Sequence, residues 1–248
     1  MIVIKSERQI ELMREAGKVV KVIFKRLENL IKPGISTKDI DDLVEEVCKE
    51  YNVTAAEKGY YGYPASICTS VNEVVVHGIP DKKRILKEGD IVSCDVVITY
   101  KGYMADACRT YAVGKISDEA KDLMDTAEKA FFEGIKYAKP GYRLRDVQRA
   151  IQETVEGKGY SVIRDFTGHG IGNKMHEDPM IPNYVCKSEN PRLLKGMTLA
   201  IEPMIAAGDY EVDILEDDWT AVTVDGSLAA HYENTIVITD DEPEIITL

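Results

Sequence analysis

The chain has 248 residues, 44% hydrophobic and 30% charged, with a formal net charge of −12 at pH 7. That length suits one large domain or two small ones with ample core, and the composition is that of an ordinary globular protein. The acidic balance leaves no basic stripe to neutralise phosphates, which argues against a nucleic-acid carrier.

The first residues, MIVIKSERQ, lack the apolar core of a signal peptide. No run reaches the ~18 apolar residues of a membrane helix, so no membrane is expected and the cytoplasm is the expected location. Ser6-x-x-Gln9 has the form of a capping box, and Ile10, Met13, Ala16, Val20, Ile23, Leu27 and Leu30 follow at helical spacing until Pro33-Gly34. Ser36-x-x-Asp39 opens a second helix with Ile40, Leu43, Val44 and Val47 on one face. From Tyr60 to Val113 the texture turns to short β-rich runs. Lys82-Lys83-Arg84, the densest basic cluster, reads as a solvated turn. Ser117–Ala138 is a third amphipathic helix ended by Pro140-Gly141, a fourth runs from about Leu144 to Glu156, and strand-like runs resume at Tyr160. Cysteines stand at 48, 68, 94, 108 and 186. Their odd count and the lack of any CxxC read as reduced, mostly buried thiols.

The order helix, Pro-Gly, helix, strands thus occurs twice. Lys32-Pro33-Gly34 returns 107 residues later as Lys139-Pro140-Gly141. At that offset Asp39 matches Asp146, Leu86 matches Leu193, Gly89 matches Gly196 and Asp95 matches Glu202, while His77-Gly-Ile and His169-Gly-Ile also correspond. A single domain over 1–248 is expected, built of two like units at about 6–113 and 117–239. A site made from both would lie where they meet.

The stretch CDVVITYKGYMADACRT, 94–110, carries one aspartate in each of two β-like runs. If Lys101-Gly102 form a two-residue hairpin loop, Asp106 lies opposite Val97, and strand parity puts Asp95 on the same face as its diagonal neighbour. Two solvent-facing strand aspartates would read the same way at this point. Facing carboxylates in a strand interior need compensating charge, which a dinuclear metal centre with ions ~3.5–4 Å apart would supply. Glu202, in an apolar run before Pro203, and Glu233, entering another, raise the same need. Four acids with one imidazole form an oxygen-rich ligand set suited to Mn, Fe(II), Co or Zn. The histidines number four: His77, His169, His176 and His231. Gly168-His-Gly-Ile-Gly172 has the wrong spacing for a dinucleotide fingerprint, and no GxSxG, Walker loop or HExxH occurs.

These residues meet a family. Tyr60-Tyr-Gly-Tyr-Pro64, Cys68, the run from Ser70 to Pro80, Gly89–Asp95, Gly168–Gly172, Ile201-Glu-Pro-Met204 and Tyr232–Ile236 span nearly the whole chain. Together they resemble the type I methionine aminopeptidases. The resemblance implies an α+β pita-bread fold, a pseudo-twofold repeat with helices packed on a curved, mainly antiparallel sheet. It implies hydrolysis of the N-terminal methionine from nascent proteins and peptides, with a small second residue preferred and two divalent ions (Co, Mn, Fe or Zn) as cofactors. Asp95, Asp106, His169, Glu202 and Glu233 would hold the metals, and Glu202, His77 and His176 would be catalytic. His77, His176, Tyr60, Tyr63, Cys68, Met175 and Trp219 would bind the substrate. Asn72 and Val74 resemble part of a loop for one Na⁺ or K⁺. A monomer with transient ribosome contact fits that role. Met175 and Glu57 depart from the family pattern, and Glu57 is expected near the pocket entrance. An X-Pro aminopeptidase or prolidase is the nearest alternative, and a metal-free peptide-binding module of the same fold the more distant one.

Overall fold

The computed structural model describes residues 1–187 and 189–248. Four helices run α1 (Glu7–Leu30), α2 (Thr37–Tyr51), α3 (Asp118–Ile135) and α4 (Leu144–Glu156). In the first half the strands are β1 (Thr54–Ala55), β2 (Cys68–Val71), β3 (Val74–Val76), β4 (Ile91–Tyr100) and β5 (Tyr103–Ala112). The second half has β6 (Ser161–Val162), β7 (Gly168–Gly170), β8 (Glu177–Ile181), β9 (Thr198–Ile201) and β10 (Met204–Ala206). There follow β11 (Val212–Ile214), β12 (Ala221–Thr223), β13 (Ala229–His231), β14 (Asn234–Val237) and β15 (Glu244–Ile245). Among the described residues no helix is long and apolar enough to cross a membrane.

The α+β expectation holds: every named strand pair is antiparallel, and helices cover the two larger sheets. Local chemistry sets the helix starts. Gln9 Oε1 accepts from Ser6 N at 2.8 Å, and Asp39 Oδ2 accepts from Ser36 N at 2.6 Å. The apolar stripe of α1 (Met13, Ile23 and Leu27 among others) meets Ile40 and Val44 of α2 and Val92, Cys94, Val96 and Ile98 of β4. α3 and α4 bring Leu123, Phe131, Leu144 and Ile151 against Leu199, Ile201 and Ile236. Each fully buried aliphatic side chain contributes about 1.5–3 kcal/mol.

Hydrogen bonds recur 107 residues apart. Thr37 N donates to Arg84 O at 2.9 Å and Leu144 N to Pro191 O at 3.1 Å. Leu86 N donates to Ile35 O at 2.8 Å and Leu193 N to Tyr142 O at 3.1 Å. Isolated bridges join Ser36 to Ile85 and Arg143 to Arg192, and Asp146 Oδ2 accepts from Arg143 N at 2.9 Å as Asp39 does from Ser36.

The halves join through β5 and the segment leading into β14. Glu233 N donates to Cys108 O at 3.0 Å, and Cys108 N returns a bond to Glu233 O at 3.4 Å. On either side a threonine hydroxyl closes a two-bond ring. Thr235 Oγ1 accepts from Asp106 N (2.8 Å) and donates to Asp106 O (2.9 Å). Thr110 Oγ1 accepts from His231 N (3.0 Å) and donates to His231 O (2.8 Å). The pattern is that of a local twofold between Cys108 and Glu233.

Candidate active site

β4 and β5 pair in the expected register. Lys101 and Gly102 both have positive φ (48° and 82°), as a two-residue hairpin turn requires, and Val97 faces Asp106. The even residues Val92, Cys94, Val96 and Ile98 of β4 pack with α1, and Asp95 and Asp106 share the opposite face. Glu202 stands just past its strand and not inside it, while Glu233 stands at the entry to its strand, as its run suggests. β9 ends at Ile201 and β14 begins at Asn234, so each glutamate stands just beyond the ladder that Ile201 and Asn234 close.

His169 lies on β7, between β8 and β9. The flanking glycines are required by close approach: a Cβ on Gly168 would lie 2.5 Å from Ala200 O, and one on Gly170 2.1 Å from Asp178 O. His169 Nδ1 is 2.9 Å from Gly170 O, an atom that can only accept, so Nδ1 carries the proton. Burial pushes the His169 pKa down to about 3, so the ring is neutral. Its bare Nε2 then points at Glu202 Oε1 (3.4 Å) and Asp106 Oδ2 (3.7 Å). A lone pair facing two carboxylates is repulsive unless a cation stands among them or one of the acids carries a proton.

The acids carry the same message. Asp95 Oδ1, Asp106 Oδ1, Glu202 Oε1 and Glu233 Oε1 are buried without a hydrogen-bond partner. Burial first, then (for Asp106, Glu202 and Glu233) the charges of their neighbours, pushes the carboxyls above the usual carboxylate range. Ligand atoms of Asp106, His169 and Glu233 lie within 4.8 Å of one another, as do those of Glu202, His231 and Glu233. The donor set fits divalent cations with an oxygen and imidazole preference.

All the remaining substrate candidates line one cleft of about 800 Å³ with these acids. His176 packs edge-on to His169 (centroids 4.4 Å apart), and its Nδ1 is 2.7 Å from Tyr60 Oη. The Tyr63 and Trp219 rings meet at 5.1 Å, Tyr63 Oη donates to Gly78 O at 2.9 Å, and Cys68 sits opposite Asp95 in the β2–β4 ladder. His77, at φ 60°, holds the left-handed conformation that strains a non-glycine residue, and burial lowers its pKa to about 4. Asn72 and Val74 lie outside this cleft lining. Asn72 Nδ2 donates to Asp90 Oδ1 (2.9 Å), and Asn72 O accepts from Ala229 N (2.8 Å).

Three residues gained no role from sequence. Phe166 packs edge-on against His77, which its place three residues before His169 could have suggested. His231 is fully enclosed, with Nε2 unpartnered at 3.8 Å from Glu233 Oε2 and 3.9 Å from Glu202 Oε2. Glu57 is not at the entrance. It is 7% exposed and forms part of the cleft wall beside Val97.

A carboxylate-and-histidine cluster at the meeting of two like halves defines a metal-dependent hydrolase site, and the chain belongs to metallopeptidase family M24, whose pattern matches residues 11–240. The methionine aminopeptidase of Clostridium acetobutylicum is 53% identical over 248 residues, covering 100% of this chain and 99% of that protein. That of Bacillus subtilis, methionine aminopeptidase 1, is 47% identical over 247 residues, with 100% and 99% covered. The crystal structure of the Thermotoga maritima methionine aminopeptidase is similar at 50% identity and a TM-score of 0.97, covering 100% of this chain and 99% of that one. An Xaa-Pro dipeptidase from Bacillus anthracis shares 25% identity at a TM-score of 0.77, covering 98% of this chain and 61% of its own.

Proposed function

We propose that the chain removes the N-terminal methionine from peptides and nascent proteins whose second residue is small. The observation that carries metal-dependent chemistry is His169: its Nδ1 proton is committed to Gly170 O, so Nε2 meets Asp106 and Glu202 as a bare donor. Asp95, Asp106, His169, Glu202 and Glu233 would hold two divalent ions, Mn, Fe(II), Co or Zn. Bound there, such ions supply the positive charge that four buried carboxylates lack and the Lewis acidity that polarises a carbonyl and a water.

The chain's own groups do the rest. Glu202, whose Oε1 is unpartnered, takes a proton from the attacking water and passes it to the leaving amine. In the tautomer that serves catalysis, Tyr60 Oη donates to His176 Nδ1 and the ring proton sits on Nε2, which would donate to the carbonyl oxygen as negative charge develops. His77, held between Phe166 and Trp219, contacts the substrate amide. Tyr60, Tyr63, Cys68, Met175 and Trp219 receive the methionine side chain, a lining suited to a flexible, polarizable thioether. Asn72 and Val74 would offer oxygens to Na⁺ or K⁺. A nascent-chain substrate supports a cytoplasmic location near the ribosome, where the chain would act as a monomer.

The test is release of the first residue from Met-Ala-Ser beside Ala-Pro-Ala, using metal-stripped protein with added Mn, Co or Fe(II). Metal-restored cleavage of the methionine peptide alone is expected. Cleavage of the proline peptide alone would move the protein to the X-Pro peptidases and discard the pocket assignment. Metal binding without cleavage of either peptide would make it a binding module.

A further inference from the structure

The wall of the side-chain pocket contains an acid that this mechanism does not use. β1 leaves β4 after Ala55 has paired with Ile98, and β2 joins the same edge only where Cys68 pairs with Asp95. Ala56 N still reaches Val97 O at 2.8 Å, but Val97 N falls in the gap between the two strands. Glu57 Oε1 fills that gap, accepting from Val97 N at 2.5 Å. Its Oε2 is buried and has no partner. No cation answers it: the adjacent Lys58 is bound to Glu45, and among the described residues Glu57 has no ion pair. Glu57 lines the cleft together with Tyr63, Cys68, Met175 and Trp219, which offer a ligand apolar, thiol and aromatic surface.

An ionised Glu57 would be a buried charge without a counter-ion, so burial alone favours the neutral acid. That burial holds its pKa well above the usual carboxylate range. Because Oε1 is occupied as an acceptor, the proton resides on Oε2. That leaves a buried O–H donor with no acceptor among the described residues, a cost that a ligand atom can relieve. The thioether sulfur of methionine is such an acceptor, though a weak one. Norleucine has the same chain length and shape with a methylene there instead.

We propose that Glu57 is a specificity-determining residue of the side-chain pocket, its Oε2–H donating a hydrogen bond to the sulfur of the substrate's first residue. The proposal rests on the methionine-removal reading. It differs from a purely structural role for Glu57, which would need only Oε1 on Val97 N.

The experiment measures kcat/KM for Met-Ala-Ser and for the same peptide beginning with norleucine, with metal-restored protein. The wild type should favour methionine about five-fold, the worth of one ordinary neutral hydrogen bond. Glu57→Gln keeps an acceptor for Val97 N and an N–H donor in place of the acid, and should keep that ratio. Glu57→Leu, with Glu57→Ala beside it should the larger side chain disturb folding, should bring the ratio to about one, whatever happens to the absolute rates. The fluorescence of Trp219, the single tryptophan of the chain, reports binding of free methionine and norleucine and should show the same loss of preference. A wild-type ratio near one overturns the proposal without any variant, as does a ratio that survives in Leu or Ala. Failure of the wild type to cleave either peptide would instead overturn the methionine reading beneath it.

Discussion

Replacing Asp106 by asparagine should stabilise the metal-free protein while removing its response to metal. Asp106 and Glu233 offer ligand oxygens within 4.8 Å of each other. At an effective dielectric constant of ~20 two such charges repel by ~3 kcal/mol. Proton uptake relieves part of this, because the acids are held above their ordinary range and Asp95 is pushed up to about 7. The asparagine variant should therefore gain roughly 1–3 kcal/mol without metal, which for a chain of this size is roughly 2–4 °C in Tm per kcal/mol. The sign with pH follows. A folded state that binds more protons than the unfolded chain loses stability as pH rises, here from about 4, where free carboxyls titrate, towards 7. The variant's advantage should thus be larger at pH ~7.5 than at pH ~5. Thermal melts of chelator-treated wild type and Asp106→Asn, with and without Mn, are the assay. A bound ion at a hundred times its Kd adds ~2.7 kcal/mol to the wild type. A variant less stable than wild type without metal, yet still raised by metal, would refute the picture of unbalanced carboxylates.

Glu202→Ala should nearly abolish turnover, and a variant keeping more than about a tenth of wild-type kcat would remove Glu202 from proton transfer. His176→Ala should lower kcat by ~10²–10³ with a smaller rise in KM, and the opposite split would make His176 a binding group. Gly17→Ala should destabilise by about 1–3 kcal/mol despite a helix-propensity gain of about 1 kcal/mol, because its Cβ would lie 2.2 Å from Ile246 O; a raised Tm in a thermal melt would contradict this packing. Arg14 binds Glu244 with both nitrogens, Nε at 2.7 Å and Nη2 at 2.8 Å, and holds its carboxyl below the usual range. Arg14→Met should lower Tm slightly above pH ~4.5, by less than ~1 kcal/mol, and the difference should vanish as acid protonates Glu244.

What could be read in advance was what neighbours in sequence decide. The start of α2 at Thr37 follows from Ser36 and Asp39, α4 has the Leu144–Glu156 bounds its periodicity suggests, and the Lys101-Gly102 turn sets Asp106 against Val97. The environments of Glu57 and His231 could not be read this way. The gap that Glu57 fills exists only because β1 and β2 share one edge of β4, and His231 reaches Glu202 only through the pairing of β10 with β13, which sets Met204 against His231. The strand ends were nearer to legible, since Glu202-Pro203 interrupts the apolar run after Ile201 and Glu233 stands where the run from Asn234 begins.

The reciprocal bonds between Cys108 and Glu233 bear on the chain's descent. In a symmetric dimer, a residue on the twofold axis faces its own copy. A chain formed by duplicating one such unit would have begun with identical residues at these two places, and with Asp106 and His231 alike as well. A glutamate at both axial positions would crowd like charges, and a cysteine at both would remove one of the four acids. In a chain of that origin the present cluster would be accessible only once the two copies were joined in one polypeptide and each could change without the other.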